Sequence, residues 1–263
     1  LHIPYVLFSL SFLSILIIPI LASSRGFLQG LQNFRSYGVS LGLEGLSKLV
    51  FGVFFVVIGW KVGGAVLGVI LSYLLAMLYC DKIVKKRVDG DKKIFTDKEI
   101  YHYTLPTFFT VLFFTAFYSI DLLLVKHFFS AIDAGKYAVV SLIGKIVFFA
   151  SFSVIQVMYP KVVELSGDTR AHKKILYKSL LIILIMVTPI LLLYQFFGDY
   201  VINLLFGESY LSVVPLIVPY GLFMLFVSIS KMFSLYLLSF KKYSFLYIFS
   251  LFLSLEVGLI FLF

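Results

Sequence analysis

Long apolar runs separated by short polar segments dominate this sequence of 263 residues. About eight such runs can be followed, each close to the roughly 20 residues that a helix needs to cross a bilayer. They cover approximately residues 4–22, 39–60, 62–79, 101–125, 137–159, 175–197, 213–240 and 244–263. Only helices suit such runs, because in lipid every backbone polar group must be satisfied within its own segment. The runs therefore predict an all-α, polytopic membrane protein with about eight transmembrane helices.

The composition excludes most other classes of protein. Apolar residues make up 61% of the chain and charged residues 13%, against roughly 25% charged in a soluble domain. A soluble enzyme, a disordered chain and a β-barrel with alternating polarity are all incompatible with these values. One cysteine, Cys80, allows no intrachain disulfide and no thiolate metal cluster. The net charge of +9 is interpreted as loop charge in a membrane protein and not as a nucleic-acid-binding surface.

The positions of Lys and Arg predict the orientation of the chain. Sixteen of the 22 basic residues lie in one set of alternate loops, three lie in the other set and three lie inside the runs. Basic loops stay on the cytoplasmic side, so we expect residues 23–37, 81–99, 161–174 and 241–242 to be cytoplasmic and the cell membrane to be the location. The basic stretch 81–99 is predicted to be a linker between domains 1–80 and 100–263. The alternative interpretation of this stretch is a surface patch that binds anionic lipid or a partner.

One internal repeat is visible at a shift of 206 residues. It pairs the pattern Arg-x-Phe-x3-Leu-x2-Phe-Arg-x-Tyr, which starts at Arg25, with Lys-x-Phe-x3-Leu-x2-Phe-Lys-x-Tyr, which starts at Lys231. The shift advances the chain by six runs and so preserves orientation, as a parallel repeat of two six-helix halves would do. The complete protein is then expected to have about twelve spans. This chain, which begins at Leu1, is expected to be a fragment that holds the fourth to the eleventh.

Four stretches together resemble the oligosaccharide and polysaccharide flippases of the multidrug/oligosaccharidyl-lipid/polysaccharide superfamily. Residues 24–35 resemble the family's turn RG-x-LQG-x-x-x-F, and residues 120–137 resemble D-x-L-L-x-x-x-F followed by A-G-x-Y. Residues 159–161 resemble the end of helix eight, P-[KR], and residues 205–210 resemble L-F-G-x-x-Y at the start of helix ten. The stretches follow the family's order over nearly the whole chain.

The resemblance implies a two-lobe, twelve-helix MATE-like transporter fold, with helices 4–6 in residues 1–80 and helices 7–11 in residues 100–263. It implies alternating access that moves a polyprenyl-diphosphate-linked oligosaccharide from the cytoplasmic to the outer leaflet. Such a protein is not an enzyme and needs no cofactor. Its expected partners are the lipid-linked oligosaccharide, membrane lipids and H+ or Na+ as the coupling ion, and we expect a monomer.

Charged residues inside the runs are the candidate functional residues, because each costs a few kcal/mol or more in lipid without a partner or a water-filled cavity. Arg25, Lys48 and Lys231 are candidates for binding the substrate diphosphate; the alternative for Arg25 and Lys231 is snorkelling to headgroups. Glu44 and Lys48 have the spacing of a helical ion pair. That pair is either self-neutralised or part of a cavity in which an anionic substrate frees the lysine.

Asp121 and Lys145 flank the short loop between the fourth and fifth runs at similar predicted depths, so a contact between their side chains is expected. The contact is either a structural bridge or a proton- or cation-sensitive site. Asp121, Lys145, Glu44 and Glu256 are the coupling or gating candidates, although no partner for Glu256 is visible in the sequence.

Other chemistry is not indicated. The four histidines lack metal-ligand spacing and no P-loop is present, so neither a metal site nor ATP-driven transport is expected. Gly64, Gly68 and Ser72 recur every four residues, which is typical of close helix packing. Three other functions stay open: a multidrug/cation antiporter of the same superfamily, a membrane polysaccharide polymerase or glycosyltransferase, and a structural subunit.

Overall fold

The computed structural model describes residues 5–86 and 97–262, and the described residues are helical with no strand. The helices are α1 Tyr5–Gly30, α2 Phe34–Phe55, α3 Lys61–Lys85, α4 Asp97–Phe117, α5 Ile120–Phe128, α6 Ala131–Glu164, α7 Thr169–Phe206, α8 Val214–Ser239 and α9 Phe245–Leu262. A π-helical turn, Val56–Trp60, joins α2 to α3, and a 3-10 turn, Glu208–Val213, precedes α8. The predicted all-α membrane fold is confirmed.

Four described stretches are long and apolar enough to cross a membrane: Phe34–Lys85, Ala131–Glu164, Thr169–Phe206 and Glu208–Ser239. A fifth is formed if Thr104–Phe117 and Ile120–Phe128, which meet at 41°, make one span. The first stretch contains both α2 and α3, so these five segments account for six of the eight predicted runs. The other two runs correspond to the shorter apolar helices Ser14–Gly30 and Phe245–Leu255.

The chain divides into two compact units, Leu1–Lys93 and Ile94–Phe263. In unit 1, α3 packs against both α1 and α2. In unit 2, α6 lies at the centre and packs against α5, α7 and α8, while α4 packs against α9 and α8. The predicted linker 81–99 overlaps the ends of α3 and α4, and its central residues lie outside the described part of the chain.

Close backbone packing holds α2 against α3 as an antiparallel pair. The chain reverses at Gly59, whose φ of +101° favours glycine, and Lys61 follows with a φ of 47°. A Cβ on Gly68 would lie 2.6 Å from the backbone nitrogen of Gly52, and a Cβ on Gly64 would lie 2.8 Å from Phe55. The small residues in α3 therefore let the two backbones approach, as their spacing predicted.

The outer surface of both units is apolar. Large side chains such as Leu46, Val57 and Phe196 are at least 70% exposed, which suits a lipid environment. Buried side chains from α4, α6, α7 and α8 form the core of unit 2, whereas a smaller core in unit 1 contains Leu28 and Cys80.

We predict that Gly68→Ala destabilises unit 1. The added methyl group meets backbone that no rotamer change can move, and overpacking of this kind costs about 1–3 kcal/mol. Gly45→Ala is the matched control, because a Cβ there meets nothing within 4 Å and alanine favours a helix. Thermal unfolding of both variants in detergent checks the prediction, and equal midpoints would contradict it.

Candidate functional site

Three side chains from α1 and α2 form an ionic cluster in unit 1, the Arg25–Glu44–Lys48 cluster. The Arg25 guanidinium donates to Glu44 Oε2 at 2.7 Å, and the Lys48 ammonium donates to Glu44 Oε1 at 3.0 Å. The side chains of Arg25 and Glu44 are only 14% and 16% exposed. One carboxylate therefore lies between two cations, which leaves the cluster with one positive charge in excess.

Polar and aromatic neighbours fix the two cations of this cluster. Arg25 Nε donates to Ser40 Oγ at 2.7 Å, and a second guanidinium nitrogen donates to the Ser40 carbonyl at 3.0 Å. The Lys48 ammonium lies 4.8 Å from the centre of the Tyr73 ring in α3, which is a cation–π distance. Lys48 remains 37% exposed. Arg25 is thus locked in place, whereas Lys48 retains access to its surroundings.

The predicted pairing of Glu44 with Lys48 is present, and the structure adds Arg25 to it. Sequence reasoning missed Ser40 and Tyr73. Ser40 could have been found, because it stands four residues before Glu44 and so lies on the same face of α2. Tyr73 gave no such signal, since nothing in the sequence relates its position on α3 to that of Lys48.

A second polar cluster surrounds Asp121 in unit 2. Asp121 is 5% exposed, and its Oδ2 accepts hydrogen bonds from the hydroxyls of Tyr137 at 2.8 Å and Tyr220 at 2.6 Å. Its Oδ1 accepts from the Leu122 backbone N–H at 2.7 Å. The hydroxyls of Ser141 and Tyr220 are 3.1 Å apart. The carboxylate therefore ties α5 to α6 and α8.

Glycine makes room for one of these tyrosines. Gly144 lies on the same face of α6 as Tyr137, which is seven residues earlier, and Ser141, which is three residues earlier. A Cβ at Gly144 would collide with the Tyr220 ring. The missing side chain therefore lets the ring lie against α6 with its hydroxyl at Asp121. The motif around Asp121 did not indicate this pairing, because Tyr220 is 99 residues away.

The expected contact between Asp121 and Lys145 is wrong. No ion pair joins them in the described part of the chain; the Lys145 ammonium instead lies 5.9 Å from the centre of the Tyr118 ring. The prediction assumed a continuous helix through Asp121, whereas the chain bends by 41° between α4 and α5. The bend places Asp121 beside Tyr137, and Lys145 lies two turns beyond Tyr137, about 12 Å further along the axis of α6.

The third feature is a lysine surrounded by rings, the Lys231 cage. The ammonium of Lys231 on α8 lies 4.5 Å from the centre of the Phe152 ring, 5.0 Å from that of Phe148 and 5.8 Å from that of Phe114. The first two rings belong to α6 and the third to α4. Within the described part of the chain no carboxylate pairs with Lys231.

The positions that match at a shift of 206 residues differ in the residues that surround the two cations. A shift of 206 residues places Ser250 at the position of Glu44 and Leu246 at that of Ser40. The positions equivalent to Glu44 and Ser40 therefore carry neither the acid nor the hydroxyl that hold Arg25. The cation recurs in Lys231, but no counterion recurs at the position equivalent to Glu44, which is Ser250.

The remaining candidate, Glu256, lies outside the residues whose side chains the structure describes, and its predicted role stays a prediction. Among the described residues, no three His, Cys, Asp or Glu side chains come close enough together to hold a metal ion.

A family model described as "Polysaccharide biosynthesis protein" matches residues 7–215. The chain belongs to the polysaccharide biosynthesis protein family. No curated protein and no solved structure matches the chain. Membership of this family confirms the coarse function: the protein is a membrane component of polysaccharide biosynthesis. The match covers the Arg25–Glu44–Lys48 cluster and Asp121, whereas Tyr220 and Lys231 lie beyond it.

We predict that Tyr220→Phe destabilises this family member by about 1.5–3 kcal/mol, because a buried charged acceptor loses one of its donors. Tyr200→Phe is the control, since Tyr200 lies on the exposed surface of α7. Thermal unfolding in detergent measures both variants. If Tyr220→Phe unfolds at the same temperature as Tyr200→Phe, the hydroxyl does not hold Asp121.

Proposed function

We propose that the protein is a flippase that moves a polyprenyl-diphosphate-linked oligosaccharide from the cytoplasmic to the outer leaflet by alternating access. It does so as part of the plasma membrane, with its basic loops on the cytoplasmic side and H+ or Na+ as the coupling ion. Membership of the polysaccharide biosynthesis family supports the substrate class. The resemblance of four motifs to the flippases supports a two-lobe transporter and not an enzyme.

The Lys231 cage carries the proposal. An ammonium among apolar helices is costly without an anion, and cation–π contacts return only about 0.5–2 kcal/mol. The described part of the chain supplies no carboxylate that would offset the remainder. A diphosphate supplies the missing negative charge and several acceptor oxygens. The cage is therefore suited to a substrate that arrives as an anion and leaves again.

The Arg25–Glu44–Lys48 cluster supports the same substrate from unit 1. Glu44 already neutralises one of its two cations, so a diphosphate competes for the other. Lys48 is the residue that can respond, because it is more exposed than Arg25 and makes fewer hydrogen bonds. In this proposal Arg25 and Lys48 in unit 1, and Lys231 in unit 2, are each candidates for binding the diphosphate.

Asp121 is the proposed coupling residue. Its carboxylate accepts three hydrogen bonds that join α5, α6 and α8. Binding of a proton or Na+ to this carboxylate would weaken its bonds to the tyrosines and loosen the contacts between these helices. Lys145 is not part of this hydrogen-bonded cluster, because its ammonium lies near the Tyr118 ring. The multidrug antiporter is less well supported, because the Arg25–Glu44–Lys48 cluster and the Lys231 cage each carry an excess positive charge, which suits an anionic substrate and not a cationic drug.

We predict that Lys231→Met abolishes export of the lipid-linked oligosaccharide and raises the thermal stability of the protein. Methionine fills the cage without a desolvated charge, so folding improves while the anion loses its partner. Lys231→Arg should retain part of the transport. The measurement is accumulation of lipid-linked repeat units on the cytoplasmic side of a deletion strain that carries each variant, together with unfolding of the purified proteins.

Lys126→Gln is the control for charge removal, because Lys126 lies on the exposed surface of α5. It should export normally at unchanged stability. Full export by Lys231→Met would overturn the role of the cage. A deletion strain that accumulates no cytoplasmic lipid-linked units would overturn the flippase itself.

We predict that Lys48→Gln reduces export at least tenfold, whereas Lys85→Gln leaves it unchanged. Each of the two lysines forms an ion pair with an acid four residues earlier on its own helix: Lys48 with Glu44, and Lys85 with Asp81. Lys85 is 80% exposed and lies at the end of α3, so its pair is worth little. The same export assay compares them, and equal export by both variants would show that the diphosphate does not use Lys48.

A further inference from the structure

An open groove of about 510 Å³ lies between α6 and α7 in unit 2, apart from the clusters described above. Its wall on α6 consists of Ser153, Val154, Val157, Met158 and Lys161, and its wall on α7 consists of Ile175, Lys178, Ser179 and Ile182. The groove thus combines an apolar interior with two ammonium groups and two hydroxyls. This volume lies within the range of protein sites that bind small molecules.

Helical spacing builds the groove from one face of each helix. On α6, Val154, Val157 and Lys161 recur at intervals of three and four residues, and on α7, Ile175, Lys178 and Ile182 do the same. The two helices are antiparallel neighbours, joined by the short turn between Glu164 and Thr169. The groove is consequently open along the outer surface of unit 2 and not enclosed in its core.

The two lysines converge although they start at different depths. A helical side chain leans towards the N-terminus of its helix, so Lys161 on α6 leans back along the bundle and Lys178 on α7 leans towards the turn. Both are exposed and both line the same groove. Within the described part of the chain neither ammonium forms an ion pair, so the groove carries two positive charges without a counterion.

We propose that this groove binds an anionic phospholipid of the surrounding bilayer. The headgroup phosphate lies between the ammonium groups of Lys161 and Lys178. The first part of one acyl chain runs along Val154, Val157 and Ile182. The site goes beyond the transported substrate, because it opens on the surface of unit 2 and uses none of the residues proposed for the diphosphate.

Charge complementarity favours an anionic lipid as the occupant of the groove. A zwitterionic headgroup brings its own cation and gains little from two lysines, whereas an anionic headgroup gains about 1 kcal/mol for each basic residue near it. Three more basic residues line the adjoining surface of α7: Arg170, Lys173 and Lys174. Tyr177 lies on the same surface. The orientation proposed above puts this end of α6 and α7 on the cytoplasmic side, where anionic lipids attract basic segments.

The test compares the purified full chain in detergent with added phosphatidylglycerol or phosphatidylcholine, using thermal unfolding as the readout. Phosphatidylglycerol should raise the unfolding midpoint of the unmodified protein and phosphatidylcholine should not. In the double variant Lys161→Gln/Lys178→Gln, the apparent affinity for phosphatidylglycerol should fall about 30-fold. The double variant Lys241→Gln/Lys242→Gln removes the same charge at another exposed turn and should retain the affinity.

Four outcomes would overturn the proposal. These are equal stabilisation by the two lipids, an unchanged affinity in Lys161→Gln/Lys178→Gln, an equal loss in Lys241→Gln/Lys242→Gln, and stabilisation by inorganic phosphate without lipid. A polyprenyl phosphate that competes more strongly than phosphatidylglycerol would instead assign the groove to the substrate lipid. The export assay reads a different property, so failure of the flippase proposal leaves this test interpretable.

Discussion

The absence of water from the bilayer core is the constraint on which the rest of this structure depends. Every charge that the helices carry into that region must find its counterpart within the protein or in something that enters it. The described chain answers this demand in three ways: an acid shared by two cations, a carboxylate surrounded by hydroxyls, and an ammonium surrounded by rings. In the first two, hydrogen bonds within the chain satisfy the charged groups, although the first keeps one positive charge in excess. The third gives its charge only partial compensation, which is why it directs attention to an anionic ligand.

The two segments that match at a shift of 206 residues both carry a cation, Arg25 and Lys231, in different surroundings. In unit 1 the guanidinium of Arg25 is held by an acid and a hydroxyl from the next helix, and such a group is rigid. In unit 2 the ammonium of Lys231 contacts aromatic faces. In the proposed transport, Arg25 would keep a fixed geometry while Lys231 binds the anion.

The sequence predicted the helical membrane fold, the positions of most spans and the pairing of Glu44 with Lys48, since hydrophobic length and helical spacing are local properties. The sequence did not predict the contacts that Asp121 makes with segments far away along the chain. Tyr220 reaches Asp121 from 99 residues away, and no local pattern indicates that approach. The expected bridge from Asp121 to Lys145 was wrong for a related reason: depth was counted along straight helices, and the bend between α4 and α5 changed the neighbours of Asp121.

The fit of the Tyr220 ring over Gly144 also restricts how this region can evolve. Any residue larger than glycine at position 144 displaces the ring, and a displaced ring withdraws its hydroxyl from Asp121. A smaller residue at position 220 relieves the collision but leaves the buried carboxylate short of a donor. A change at either position alone therefore loses the hydrogen bond to Asp121. A change at Asp121 would have to accompany changes at positions 144 and 220. The three residues form an epistatic unit that homologous chains are expected to keep or to replace together.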